Sequence, residues 1–136
     1  MTGFLNRIPL SVTFLADGVF SLLAAAVCIF FAGPLATLSG PDVSPSIFTA
    51  VGIGLFGWGL FHIAAGRSNG GPSALAARIS MTGDMLWIAA SVAILVLAGT
   101  MLTGAGIALV VIAMIAVADM LLLKAKGFGR QHAPTP

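Results

Sequence analysis

Apolar residues dominate the chain in four long stretches, separated by short clusters of glycine, proline and polar residues. The stretches cover 10–32, 46–65, 80–98 and 103–123. Each is near the ~20 residues that a helix needs to cross the hydrocarbon core of a bilayer. Pro9 suits a first helical turn, where its missing N–H costs little. Gly33-Pro34 is expected to end the first span, leaving 35–45 as a connection. Ser44-Pro45 reads as a cap and first-turn proline for the second. The clearest loop is GRSNGGP at 66–72, whose glycines and Asn69 suit turns. Residues 73–79 extend the third helix into the interface, with Arg78 at headgroup level. The apolar character then scarcely pauses before Asp119. One helix over 85–118 would be about 50 Å long, against roughly 30 Å of hydrocarbon. A turn is therefore expected within 99–106, and 124–136 reads as a basic, mobile tail.

Composition agrees with this pattern. Of 136 residues, 59% are hydrophobic and only 7% charged, and the mean hydropathy is +1.11. Soluble domains carry about 25% charged residues. The net charge of +2 offers no basic stripe for nucleic acid. Cys28 is the only cysteine, so no internal disulfide can form. Glutamate is absent, and the acids are Asp17, Asp42, Asp84 and Asp119. Arg7 and Ala24-Ala25-Ala26 imitate a signal peptide, but Asp17 interrupts the apolar run and Cys28 to Phe31 continue it. A retained first span is expected.

Charge placement predicts orientation. Four spans put the N-terminus, the 66–79 connection and the C-terminus on one side. That side holds Arg7, Arg67, Arg78, Lys124, Lys126 and Arg130, all six basic residues. The two opposite loops hold none, so the basic side is expected to be cytoplasmic.

Depth predicts a polar layer. Asp17, His62, Asp84 and Asp119 each lie roughly 5–11 Å inside the cytoplasmic end of their span. Helical spacing aligns Thr13, Asp17 and Ser21 on the first span, and Trp58 with His62 on the second. Asp84, Trp87 and Ser91 share a face of the third. Ionisable groups inside a span usually face a partner or a wet cavity. One reading is a ligand or proton-handling site, with Trp58, Trp87, Ser21 and Ser91 as candidate pocket lining. The plainer reading is helix-to-helix hydrogen bonding, with Asp84 and Asp119 solvated near the headgroups. His62 alone supplies no spacing motif for haem or zinc, and no nucleophile accompanies it. No catalytic or metal-binding residue is assigned, and the cofactor is left unknown.

Small residues mark packing faces. GIGLFGWG, at 52–59, formally imitates a dinucleotide fingerprint but lies in an apolar span. Gly52, Gly59 and Gly66 recur every seven residues, giving one thin helix face. Ala24, Cys28 and Ala32, and Gly104, Ala108 and Ala116, are expected to form similar faces. Trp58 and Trp87 serve as interface anchors or pocket walls.

ADGVFSLLAA at 16–25 and DMLWIAAS at 84–91 resemble a group of small bacterial four-span integral membrane proteins of unassigned function. That group tends to have Ala-Asp-Ala in the first span and Asn-x-x-Trp in the third. Here the elements are Ala16-Asp17-Gly18 and Asp84-x-x-Trp87. The resemblance implies a multi-pass protein of the bacterial cytoplasmic (inner) membrane and supplies no activity.

The expected fold is all-α: one integral membrane domain, a compact four-helix transmembrane bundle with both termini cytoplasmic. The expected role is a non-enzymatic accessory or scaffold protein in the lipid bilayer, packed with a membrane protein partner or as a homo-oligomer. The alternatives are a small oligomeric proton-coupled transporter using the Asp/His layer, and a lipid, quinone or pigment binder. An enclosed cavity at the layer would favour transport or ligand binding.

Overall fold

The computed structural model describes residues 8–131. Arg7, His132 and the rest of the two ends lie outside the described residues. Among the described residues, five α-helices follow in order: α1 Leu10–Phe30, α2 Ala32–Ser39, α3 Pro45–Gly66, α4 Ala74–Ala98 and α5 Gly104–Gln131. There is no strand among the described residues. Four of the helices, all but α2, are long and apolar enough to cross a membrane.

Local chemistry explains most of the boundaries. The Pro9 carbonyl accepts the N–H groups of Val12 and Thr13 at 3.1 and 3.2 Å, opening α1. Ser44 caps α3 by accepting the Ser46 N–H at 3.3 Å, with Pro45 in the first turn. Ser73 caps α4 through the Ala76 N–H at 3.1 Å. In the loop before it, Gly70 and Gly71 have φ of +84° and +86°, which favours glycine. The Ser68 hydroxyl closes that loop onto Ala65 O and Gly71 O, each at 2.7 Å.

Two expected boundaries are wrong. Gly33-Pro34 does not end helical structure: the break comes at Phe31, and Pro34 falls in the first turn of α2, where no N–H is needed. Residue 123 does not end the last helix either. α5 runs 28 residues to Gln131, about 42 Å, so 124–131 is helix rather than mobile tail. The turn before α5 is as expected, a 3₁₀ segment at Gly99–Met101. Thr103 ties it down. Its hydroxyl donates to Leu38 O at 2.5 Å and accepts the Gly106 N–H at 3.0 Å. Its N–H reaches Ser39 O at 2.8 Å.

The closest helix pair is α1 with α3. A Cβ at Gly52 would lie 3.0 Å from Ala25 O, at Gly59 3.0 Å from Gly18 O, and at Gly66 3.1 Å from Ser11 O. The seven-residue glycine repeat thus meets an antiparallel repeat at Ser11, Gly18 and Ala25. Cys28 packs beside this seam, its Cβ 3.1 Å from where a Gly52 Cβ would stand. The other expected stripe is misplaced. Gly104 and Ala108 face outward, and the close approach of α5 to α2 is made at Gly106, against the Ser39 backbone. α4 packs on α5, whereas the backbones of α3 and α4 barely touch. Trp58 bridges that gap and lies against Gly83.

Polarity is inverted relative to a water-soluble bundle. The outside carries Leu97, Phe30 and Val96, exposed by 82%, 80% and 76%. The interior buries Thr13, Asp17, Ser21, His62, Ser80, Asp84, Ser91 and Lys124. A small apolar cluster of Leu10, Phe14 and Ala77 packs beside them. Apolar lipid places no demand on the outer surface for charge, so most of the scarce polar groups turn inward and pair with one another.

Candidate functional site

Four helices converge on the side chain of Lys124, which is 0% exposed. Its ammonium is in ion-pair contact with Asp17 Oδ2 of α1 and donates to Asp84 Oδ2 of α4 at 2.7 Å. Its third neighbour is His62 Nε2 of α3 at 3.2 Å. An ammonium has three N–H donors and meets three acceptors. The Phe14 ring adds a cation–π contact, 5.7 Å from Nζ to the ring centroid.

His62 is the second hub. Its Nδ1–H donates to the Trp58 carbonyl, one helical turn away, at 2.9 Å. In the neutral ring this leaves Nε2 as an acceptor. Nε2 stands 2.7 Å from the Ser80 hydroxyl and 3.3 Å from Asp17 Oδ2. The rings of Phe14, Trp58 and Phe61 enclose the imidazole at centroid distances of 5.1, 4.9 and 5.1 Å. Ser21 donates to Asp17 Oδ1 at 3.3 Å, as i, i+4 spacing allows.

Three of the four expected layer residues therefore meet. Asp17, His62 and Asp84 share one cluster, and Asp84 is not solvated near a helix end. It lies ten residues into α4, about 15 Å along the axis, and is 4% exposed. Asp119 is the exception: it is exposed and faces away from the cluster. Lys124, assigned to the tail by hydropathy, takes the fourth place. The two lie five positions apart, about 140° around a helix of 3.6 residues per turn, so both cannot face inward. A helical signal for Lys124 was present, because Val117, Met120, Lys124 and Gly127 lie on one stripe.

A cavity of about 310 Å³ adjoins the cluster. Asp17, Ser21 and Asp84 form its polar wall, and Trp58, Trp87 and Phe20 supply aromatic surface. Val117 and Met120 close the α5 side. Phe20 and Gly54 in the wall are exposed, so the cavity opens sideways through the apolar surface of the bundle. The candidate lining residues Trp58, Trp87 and Ser21 all line it. Ser91 does not: it is buried one turn beyond and donates to the Trp87 carbonyl at 2.9 Å. The Trp87 Nε1–H is buried and finds no acceptor among the described residues.

Comparison with known protein families, curated proteins and solved structures returns no match. What the site can do rests on its own chemistry. The space between the two carboxylates and the imidazole is filled by the Lys124 ammonium, while the cavity beside it is open to a guest.

Proposed function

We propose that the protein is a small-molecule binder or carrier of the bacterial cytoplasmic membrane. It holds a compact amphipathic guest between the Asp17/Asp84 wall and the Trp58/Trp87 surface. The single observation that carries this is the cavity itself, apolar on most sides and joined to a buried charge cluster. Ligand sites combine such walls with a few placed polar groups. A volume of about 310 Å³ stands at the small end of that class. The sideways opening suits a guest that enters from lipid.

In this reading both termini are cytoplasmic. Removing Lys124 from the surface charge leaves the bias intact. Arg67, Arg78, Lys126 and Arg130 are exposed, and all belong to the same end of the bundle by sequence position.

A second reading, an accessory or scaffold protein packed with a membrane partner or as a homo-oligomer, draws on the outward-facing small residues Gly57, Gly104 and Ala108. Native mass spectrometry after gentle extraction separates the two. The binder reading predicts a retained small molecule in the wild type that is lost in Val117→Phe, whose ring fills the cavity. A bare chain held only in a stable protein complex would count against it.

A further inference from the structure

The charge count at the cluster does not close. Asp17 and Asp84 supply two negative charges and Lys124 one positive. His62, with Nδ1–H on the Trp58 carbonyl and Nε2 beside two donors, is drawn as a neutral ring. One negative charge is left over inside an apolar bundle, where an unbalanced charge is expensive. Both ring nitrogens of His62 are already engaged, so two species can balance it: a proton on one of the two carboxylates, or a cation in the adjoining cavity.

The cavity is built for the second. Asp17 and Asp84 both stand in its wall. Asp84 Oδ2 is taken by Lys124, whereas Asp84 Oδ1 receives no hydrogen bond among the described residues. Phe20, Trp58 and Trp87 present ring surface, which attracts cations where water is excluded. The Trp87 Nε1–H adds a buried donor that asks for an acceptor on the guest. Trp87 is three residues after Asp84 on the same helix face, so one small molecule can touch both. The volume of about 310 Å³ equals roughly ten waters at ~30 Å³ each.

We propose that the cavity binds a small organic cation carrying a hydrogen-bond acceptor, and that a proton on the Asp17/Asp84 pair is the charge it exchanges with. This rests on the binder reading above and names its guest. With the cavity empty, one of the two carboxyl groups holds a proton, His62 Nε2 remains an acceptor, and the cluster is neutral. When the cation enters, that carboxyl group loses its proton to the solvent and the cluster is neutral again. The groups that face the carboxylate pair are Lys124 from α5, which contacts both, and His62 from α3, beside Asp17. Ser21 from α1 supplies a neutral hydroxyl.

The two tryptophans of the chain, Trp58 and Trp87, both line the cavity, so intrinsic emission reports on it directly. The full chain in mild detergent is titrated with choline, ethanolamine and neohexyl alcohol, the last being the uncharged carbon isostere of choline. At least one charged probe is expected to shift the emission at concentrations about tenfold or more below the alcohol. Its binding should release about one proton into weak buffer and tighten as pH rises, because the doubly ionised carboxylate pair is the competent form. Asp84→Asn should abolish the proton release and remove the preference for charge. Equal response to all three probes overturns the cation and leaves the cavity standing. Charge preference without proton release in the wild type overturns the exchange. Silence from every probe, with Val117→Phe emission like that of the wild type, overturns the binder reading as well.

Discussion

Lys124 shows how little a residue's type says about its place. A lysine at the end of an apolar run normally marks the interface, because its ammonium seeks water or headgroups. Here two carboxylates and an imidazole replace that water, so the charge stays inside and the helix continues past it. Removing the ammonium leaves Asp17 and Asp84 facing each other unbalanced. Lys124→Met is expected to cost about 3–5 kcal/mol, read as a large fall in thermal stability in detergent by Trp emission. Lys124→Arg should recover only part of it, since a planar guanidinium cannot place three donors as a compact ammonium does. Asp119 supplies the contrast. It is exposed, so Asp119→Asn should change stability by less than about 0.5 kcal/mol. If Asp119→Asn proved as damaging as Asp17→Asn, the placement of α5 would be wrong. Asp17, His62 and Asp84 were legible as a shared layer because depth along a helix follows from residue count. Which way Asp119 points was not, since rotation about the helix axis depends on the neighbours.

At the scale of elements, the α1–α3 pair is the closely packed half of the bundle. Its register follows from matched seven-residue repeats, Gly52, Gly59 and Gly66 against Ser11, Gly18 and Ala25. Half of that seam was legible, because the glycine repeat stands out in an apolar span. The partner face was less visible: a repeat of serine, glycine and alanine is hard to tell from its alanine-rich neighbours at 24, 28 and 32. At Gly59 a Cβ would come within 2.8 Å of Leu22 Cγ and 3.0 Å of Gly18 O. Gly59→Leu should therefore separate the helices, destabilising by about 1–3 kcal/mol or more. At Gly57 a Cβ would meet nothing within 4 Å, and Gly57→Leu should leave stability near that of the wild type. A thermal scan of both variants in one detergent checks the pair. Similar losses in both would contradict the seam. The loose junction of α3 with α4 is the other half of the design: where backbones barely touch, Trp58 spans the gap and the cavity remains beside it.

For the whole molecule, four apolar helices and an inward-turned polar cluster define a bundle built for lipid. Orientation is testable through the lone cysteine. With Cys28 replaced by serine, single cysteines at Asp42 and Ser68 probe the two ends, both positions being exposed. A membrane-impermeant maleimide applied from the side opposite the proposed cytoplasmic face should label position 42 at once. Position 68 should react only after lysis. The reverse pattern would invert the proposed topology.

Hydropathy alone determined the class, the number of spans and the turn near 99–103. A bilayer demands ~20 apolar residues per crossing and leaves no backbone group unpaired. These are one-dimensional constraints, readable from residue order. The tertiary structure decided the rest: the burial of Lys124, the exclusion of Asp119, the true ends of the first and last long helices, and the cavity. Each depends on how helices rotate about their axes and how closely their backbones approach. Contacts between residues far apart in the chain set those quantities, among them Lys124 with Asp84 and Gly59 with Gly18. A charge that would mark the boundary of an apolar span in isolation lies inside the bundle when its partners wait on three other helices.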